Sequence, residues 1–163
     1  MKTAEELSAL FRAQGRKVTT QRQHIFRALE GNTEHPCAEQ VYEVVRGDVW
    51  TISLKTVYQT LNELVELGEI AALDVGTGAV RFDPNVESCH HHLVCRSCGS
   101  VRDVTVELPQ VSLPPGAEQG YVLSSAEVVF RGICKACQAN VHGTRDESGP
   151  LAKVAGATVT ESS

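Results

Sequence analysis

The chain lacks any long run of apolar residues, although 42% of its 163 residues are hydrophobic. A helix that spans a membrane needs about 20 consecutive apolar residues, so we expect a soluble protein. Its first six residues are polar and typical of a helix, and they do not form the apolar stretch of a secretory signal peptide. The sequence therefore predicts a cytoplasmic protein of one or two small domains, each with its own core.

The chain also has no excess of positive charge. The net charge is −5, with 15 Lys and Arg against 20 Asp and Glu, which argues against a protein coated in positive charge for nucleic acid. The basic residues are unevenly placed, because Arg12, Arg16, Lys17, Arg22 and Arg27 share one stretch that has no acidic residue. Such a basic face is compatible with DNA binding and also with an ordinary solvated surface.

Two Cys-x-x-Cys pairs are present, Cys95 with Cys98 and Cys134 with Cys137. Each pair places two sulfurs on a tight turn, and two pairs supply the four thiolates of a tetrahedral structural zinc site. Two disulfides in a secreted domain are the alternative, which the polar N-terminus disfavours. We predict a closed zinc site that holds the start and end of a small domain together and contributes roughly 10 to 16 kcal/mol to folding.

Helical periodicity dominates the first 67 residues and predicts helices over 3–14, 19–30, 37–45 and 53–67. Val41, Val44 and Val45 of the third helix are expected to face inward. Ser53 is the expected N-cap of the fourth helix and Gly68 its terminator. Two strand-forming runs, 70–75 and 79–83, follow with a Gly-Thr-Gly turn between them, which favours a hairpin. This order predicts a winged helix-turn-helix domain whose fourth helix enters the major groove.

Composition changes after Pro84 from helix-forming to strand-forming residues. Strands are predicted at 93–94, 101–106 and within 121–133, and the last residues lack periodicity. We therefore predict an α+β chain with a winged-helix DNA-binding domain at 1–83, a hinge at 84–89, a zinc-stapled α/β domain at 90–138 and a disordered tail at 139–163.

Several motifs together resemble the ferric uptake regulator family of metal-dependent repressors. The motifs are Lys17–Arg22, His35-Pro36, Thr56–Leu61, Arg81–Asp83, His90–Gly99 and the pair Cys134 and Cys137. The resemblance covers residues 1 to about 138. It implies a winged-helix domain bound to double-stranded operator DNA, a C-terminal domain that forms a homodimer, structural zinc on the four cysteines, and a regulatory metal between the domains.

The resemblance also implies which residues bind the regulatory metal. The family positions fall on His35, Asp83, His90, His92 and Asp103. Three neutral imidazoles and two carboxylates suit iron or manganese as well as zinc or nickel. Since the first two residues lie in one predicted domain and the last three in or beside the other, metal binding should favour one domain orientation.

The two aspartates resemble the peroxide-sensing (PerR-like) branch, whereas ferric uptake sensors carry Glu at the first of these positions and often at the second. In that branch bound ferrous iron reacts with peroxide, and ligand histidines are oxidised. By position these are His35 and His90. The expected function is thus a peroxide-sensing repressor with Fe²⁺ or Mn²⁺ as regulatory metal. A zinc, iron or nickel uptake repressor on the same scaffold is the alternative.

We expect seven residues to contact DNA, from the basic stretch and the outward face of the fourth helix: Arg16, Lys17, Arg22, Lys55, Thr56, Tyr58 and Gln59. Thr60 is also expected to face outward. Gln59 stands where many members of the family carry Arg, which removes one expected phosphate contact. Tyr58 is ambiguous, because periodicity places it with the core stripe while a phenol at the edge of that stripe can contact a thymine methyl.

A zinc hydrolase or deaminase is the alternative from another class. Deaminases pair His-x-Glu with Pro-Cys-x-x-Cys, but no Glu follows the histidines within residues 90–94 and no proline precedes either cysteine pair. We therefore predict no enzymatic activity. Cys37 and Cys89 lie outside the pairs and are interpreted as inert free thiols. Because Cys89 adjoins His90, a thiol-based response or zinc capture remains an alternative for it.

Overall fold

The computed structural model describes residues 1–76, 78–86, 90–106, 114, 116–122 and 128–141. Its N-terminal half consists of α1 (Ala4–Ala13), α2 (Thr20–Leu29), α3 (Ala38–Arg46) and α4 (Leu54–Glu66). Side-chain caps begin three of these helices. Thr3 and Glu6 form a capping box on α1, Thr19 accepts from the Arg22 amide, and Ser53 accepts from the Thr56 amide at 3.1 Å. The four predicted helices and the predicted N-cap of α4 are therefore present.

The four helices pack around one apolar core. The buried residues come from every helix and from the segments that flank α4: Leu7, Phe11, Ile25, Phe26, Leu29, Val41, Val45, Ile52, Val57, Leu61, Leu64 and Ile70. Two residues differ from the prediction. Val44 was expected to face inward and is 67% exposed, whereas Thr60 was expected to face outward and is fully buried. The Thr60 hydroxyl is satisfied inside the helix because it donates to the Thr56 carbonyl at 2.8 Å.

The predicted hairpin is present as β1 (Ala71–Leu73) and β2 (Arg81–Asp83), which pair antiparallel. We call this hairpin the wing. Phe82 of β2 is buried in the helical core, and its amide donates to the Pro36 carbonyl at 3.0 Å. This bond ties β2 to the loop between α2 and α3. Asp83 at the end of β2 is thereby held beside that loop.

The C-terminal half contains β3 (His91–Cys95), β4 (Val101–Val104), β5 (Val129–Gly132) and α5 (Lys135–Val141). The sheet order is β4-β3-β5, with β3 antiparallel to β4 and parallel to β5. Of the strand expected within 121–133, the described residues form β5. Tyr121 and Val122 are 76% and 98% exposed and lie outside any strand, and 123–127 lie outside the described residues.

Helix α5 was not predicted, and it includes residues 139–141, where we expected the disordered tail to begin. Its residues alternate small and polar types and give little periodic signal. The rest of the predicted tail, 142–163, lies outside the described residues, and the predicted hinge is described only as far as residue 86.

A second apolar cluster joins the wing to the C-terminal sheet. It contains Leu73 and Val75 from the wing side and Val94 and Val101 from β3 and β4. Beside it, the Arg131 guanidinium donates to the Val75 carbonyl. The two halves of the chain are therefore in direct contact through apolar side chains.

The architecture is α+β, with a helical winged domain followed by a small sheet domain, as predicted. Among the residues that the structure describes, no helix has the length and apolar character needed to span a membrane.

Candidate metal centres and nucleic-acid interface

Five side chains from four separate segments meet between the two halves of the chain: His35, Asp83, His90, His92 and Asp103. Each offers one ligand atom, and these atoms all lie within 4.8 Å of one another. They are the five residues that the sequence predicted for the regulatory metal. We call this set the His/Asp cluster.

The backbone of His35 adopts an unusual conformation to reach the cluster. Its φ is +49°, and its side chain is fully buried. Left-handed backbone is uncommon for residues other than glycine and costs free energy, and a following proline restricts the residue further. The contact between Pro36 and Phe82 described above holds the loop in place. The fold therefore maintains a strained residue at this point of the site.

Strand register places the remaining residues. His92 of β3 lies directly opposite Asp103 of β4, so both side chains point to the same face of the sheet. His90 lies two residues before His92 and shares its face. Asp83 ends β2 and reaches the cluster from the wing. The site is thus built from both halves of the chain.

The ligand atoms face one another at short range. His35 Nε2 lies 2.8 Å from Asp103 Oδ1 and 3.3 Å from Asp83 Oδ1, while His90 Nε2 lies 2.9 Å from Asp83 Oδ2. Yet both ring nitrogens of His35, Nδ1 of His92 and Oδ1 of Asp103 are buried without a hydrogen bond to any described residue. Buried polar atoms are normally hydrogen-bonded, so these atoms need another partner.

A cation at the centre of the cluster would satisfy two of them, His35 Nε2 and Asp103 Oδ1, since an imidazole turns one nitrogen at a time toward a metal. The Nε2 atoms of His90 and His92 are 3.1 Å apart, and two neutral imidazoles in this position direct lone pairs or a single proton at the same point. Nitrogen and carboxylate oxygen atoms that converge in this way match the ligands of divalent transition metals. The residues present therefore fit a metal ion.

The protonation of the cluster also favours a cation. Burial raises the pKa of Asp83, but the neighbouring His35 side chain and the Asn85 amide lower it more strongly, to about 2. Burial and the charges of His35 and His90 lower the pKa of His92. Asp83 is consequently ionised and His92 neutral near pH 7, which are the forms that bind metals.

The sequence analysis did not predict that Asn85 contacts the His/Asp cluster. Its amide N–H donates to Asp83 Oδ1 at 2.7 Å, and its side-chain nitrogen lies 3.3 Å from Asp103 Oδ2 and 3.4 Å from His90 Nδ1. Asn85 thus contacts three members of the cluster, Asp83 through its backbone amide and His90 and Asp103 through its side chain. Its position two residues after Asp83 is typical of an Asx turn, which is the only local signal that indicates it.

The four paired cysteines form a second cluster: Cys95, Cys98, Cys134 and Cys137. The Sγ atoms of Cys98 and Cys134 are 3.8 Å apart. A zinc–sulfur bond of about 2.3 Å gives a tetrahedron with an edge of roughly 3.8 Å, whereas a disulfide requires about 2.05 Å. All four thiols are free of disulfides. The geometry therefore fits one tetrahedral zinc ion.

Backbone amides stabilise the thiolate of Cys95. The amides of Cys134 and Cys98 donate to its sulfur and lower its pKa to about 6. Cys37 lies elsewhere, as the N-cap of α3, and stays interpreted as a free thiol. Cys89 lies outside the described residues.

A groove runs between α2, α4 and the loop before α2. Its lining includes all seven residues predicted to contact DNA and five further polar or acidic ones: Arg16, Lys17, Thr19, Gln21, Arg22, Lys55, Thr56, Tyr58, Gln59, Asn62, Glu63 and Glu66. The structure therefore places the predicted DNA-facing residues on one surface.

Part of this basic surface is neutralised by acidic groups. Arg22 Nη2 lies 2.6 Å and Arg16 Nη1 3.2 Å from the carboxylate of Glu63, and Arg16 also contacts Glu66 at 3.2 Å. Two of the residues predicted to contact DNA, Arg16 and Arg22, thus form ion pairs within the protein. The other two basic residues, Lys17 and Lys55, are exposed and have no ion pair with any described residue.

Tyr58 lies at the edge of the core stripe and is 39% exposed. Its hydroxyl donates to Glu39 Oε1 at 2.7 Å, and this hydrogen bond lowers the pKa of Glu39 and raises that of Tyr58. The bond links α3 to α4 on the groove side. The Tyr58 side chain therefore lies at the protein surface and not in the core.

Comparison with known proteins gives a consistent assignment. The profile of the ferric uptake regulator family matches residues 13–131. The peroxide-responsive repressor PerR of Staphylococcus aureus (strain USA300) is 31% identical over 137 residues, which cover 82% of this chain and 90% of that protein.

Solved structures agree with the profile. A zinc-bound manganese uptake regulator is 28% identical with a TM-score of 0.62, and the alignment covers 82% of this chain and 99% of that one. The ferric uptake regulator of Helicobacter pylori shares the fold at 22% identity with a TM-score of 0.63, over 85% of this chain and 97% of that one. With its winged helical domain, its His/Asp cluster and its four cysteines, the chain belongs to the ferric uptake regulator family of metal-responsive repressors.

Proposed function

We propose that this protein represses transcription as a homodimer bound to operator DNA, and that it senses peroxide through oxidation of a histidine in the His/Asp cluster. The observation that carries the proposal is the cluster itself, in which imidazoles and carboxylates from both halves of the chain converge. Buried polar atoms of His35, His92 and Asp103 in this cluster have no hydrogen bond to any described residue. The two aspartates and the similarity to a peroxide-responsive repressor support the peroxide branch.

The cluster acts as a connection between the two domains. His35 and Asp83 belong to the winged domain, and His92 and Asp103 belong to the sheet domain. A cation bound by all of them stabilises the arrangement in which they meet, so its binding free energy shifts the equilibrium toward that arrangement. Coupling of this kind is typically about 1–3 kcal/mol, or roughly 5- to 150-fold in operator affinity.

Ferrous iron, when bound, supplies the electron transfer that activates hydrogen peroxide. The protein supplies the oxidisable groups, the rings of His35 and His90. In the overall reaction one peroxide oxygen replaces a hydrogen on a ring carbon, and the displaced hydrogen leaves with the other oxygen as water. The ring loses two electrons and peroxide gains two. An oxidised ring is a poorer ligand, so the domains lose their connection and the operator is released.

A path for peroxide reaches the cluster. The Asp103 side chain is 26% exposed, while that of His35 is fully buried. A cavity of about 210 Å³ lies against Asp103 and is lined by Met1, Gly31, Asn32, Thr33, Pro84 and Asn85. This space admits a molecule of two oxygen atoms. Peroxide can therefore approach from the side of Asp103.

We propose that the cysteine cluster binds structural zinc. Four sulfurs fill a tetrahedral ion and leave no position for substrate or water, so the centre has no role in turnover. This argument, with the family membership, supports a regulator over the hydrolase or deaminase alternative.

The DNA contacts proposed for this chain centre on α4. Lys17 and Lys55 carry positive charge that no described residue neutralises, and they suit phosphate contacts. Thr56, Tyr58 and Gln59 present polar groups to the same groove. Arg16 and Arg22 lie on the same surface, where ion pairs with Glu63 partly offset their positive charge.

An uptake repressor is the second candidate, because a manganese uptake regulator with zinc bound is among the similar structures. It differs from the first candidate only in the metal and in the absence of histidine oxidation. The same His/Asp cluster serves both.

Mass spectrometry distinguishes the two candidates. Iron-loaded protein treated with hydrogen peroxide should gain the mass of one oxygen on His35 or His90, and manganese-loaded protein should not. His91 is an internal control, because it lies between two members of the cluster but is not one of them. Intact histidines together with oxidised cysteines would contradict the peroxide mechanism and favour the uptake repressor.

A further inference from the structure

Gln59 belongs to a network of polar contacts that is centred on Glu63, on the groove side of α4. Its side-chain nitrogen donates to Glu63 Oε1 at 3.0 Å, one turn further along the helix. The same oxygen accepts from Arg22 Nη2 at 2.6 Å. Arg16 contacts the other oxygen of Glu63 at 3.2 Å. The amide of Gln59 is therefore connected to two guanidinium groups through one carboxylate.

This network fixes which end of the Gln59 amide faces outward. Glu63 lies between two arginines, and a carboxylate paired with arginines accepts hydrogen bonds and does not donate them. The nitrogen of Gln59 must consequently face Glu63, because the opposite orientation would place the amide oxygen against a negative charge. The oxygen Oε1 and the second hydrogen of the nitrogen remain available to a ligand in the groove.

One acceptor beside one donor matches a single base in the major groove. Adenine presents a donor at N6 and an acceptor at N7, whereas guanine presents two acceptors at N7 and O6. Gln59 satisfies adenine without leaving Glu63. For guanine it would need two outward donors, and one of its two hydrogens is already committed to the carboxylate.

Glu63 itself is not free to read a base. Both of its oxygens are engaged by arginines, and its side chain is only 15% exposed. Gln59 is exposed on the same helix face as Lys55. Gln59 is therefore the residue that contacts DNA, and Glu63 is the residue that controls the orientation of the Gln59 amide.

We propose that Gln59 reads an adenine in each half of the operator and that Glu63 is the positioning residue that sets this preference. The inference rests on the proposed function, in which α4 enters the major groove. It adds the identity of one base to that function.

The test is selection from a library of randomised DNA duplexes by the full-length, zinc- and metal-loaded protein, followed by sequencing. The wild type should enrich adenine at one position of each half-site. Gln59→Ala should lose discrimination at that position alone, by about 10-fold, and leave the other positions unchanged.

Glu63→Gln tests the positioning role, because a neutral amide accepts either orientation of Gln59. The adenine preference should then fall toward parity. Glu66→Gln is the matched control, since Glu66 contacts Arg16 but not Gln59, and it should keep the preference. If Glu63→Gln does not fold, Glu63→Asp tests the same role, because the shorter side chain keeps its charge beside the arginines but withdraws its oxygens from the Gln59 amide, and the adenine preference should again fall.

The outcomes separate the inference from the proposed function. A preference pattern that is unchanged in Gln59→Ala, or a wild-type preference for guanine at the affected position, would overturn the inference and leave the repressor intact. A wild-type protein that enriches no sequence would overturn the proposed function and the inference with it.

Discussion

The cysteine cluster provides the most decisive perturbation of the fold. Cys95→Ser removes the most buried of the four sulfurs, which is 4% exposed and accepts from the Cys134 amide at 3.3 Å. A closed zinc site contributes roughly 10–16 kcal/mol to folding, which is as large as the whole stability of a typical domain, about 5–15 kcal/mol. Among the described residues of the sheet domain, the buried apolar side chains other than Cys95 are Val94 and Val101. We therefore expect the variant to lose the folded sheet domain.

The winged domain should survive the same change, because its core lies within α1–α4 and does not depend on the sulfurs. Two-dimensional NMR distinguishes the halves, since methyl signals of Val94 and Val101 should collapse to unfolded positions while those of Leu61 and Leu64 stay dispersed. Zinc content measured on the same sample should fall to a small fraction of that of the wild type.

Cys37→Ser is the matched control, because Cys37 is buried only in part at the start of α3 and lies outside the cluster. It should keep zinc and the melting temperature within a few degrees. Unchanged melting and full zinc content in Cys95→Ser would refute the reasoning. So would loss of both domains together in one transition.

The other predictions concern the His/Asp cluster and the DNA surface. Asp103→Asn should leave the protein folded and dimeric but remove the roughly 5- to 150-fold rise in operator affinity on metal addition; undiminished metal activation in a gel-shift assay would count against the connection between domains. Lys55→Ala should weaken DNA binding uniformly and reduce the salt slope by about one unit, which a fluorescence titration at several salt concentrations measures. Arg22→Ala should instead lower the melting temperature, because this side chain is 13% exposed and paired to Glu63; an unchanged melting temperature with a reduced salt slope would show that Arg22 contacts phosphate.

The four cysteines could be named from their spacing, whereas the members of the His/Asp cluster could be named from the motifs that resemble the ferric uptake regulator family. The Cys-x-x-Cys pairs require one local turn each, and His90 and His92 share a strand face through simple alternation. The structure brings all of these residues together. It adds what spacing does not show: the left-handed backbone of His35, and the contacts of Asn85, which depend on how three segments meet.

The DNA surface was less predictable in its details. Arg16 and Arg22 pair with Glu63, which is more than 40 residues away along the chain, and local patterns carry no information on such contacts. The prediction of which helix residues are buried was wrong at Val44 and Thr60 for a related reason. The face that a helix buries depends on its neighbours, and a hydroxyl that bonds within its own helix can be buried at little cost.

The shared apolar cluster of the wing and the sheet domain has a consequence for how the repressor is tuned. Separation of the two domains would expose Leu73, Val75, Val94 and Val101 to water, at roughly 1.5–3 kcal/mol for each fully buried aliphatic side chain. On the proposed function, in which this arrangement of the domains binds the operator, the metal-free protein thus has its own bias toward the DNA-competent shape. The cation needs to supply only the rest of the free energy that holds the two domains together. Substitutions at Val75 should therefore shift the metal concentration at which repression begins, although the metal ligands are unchanged.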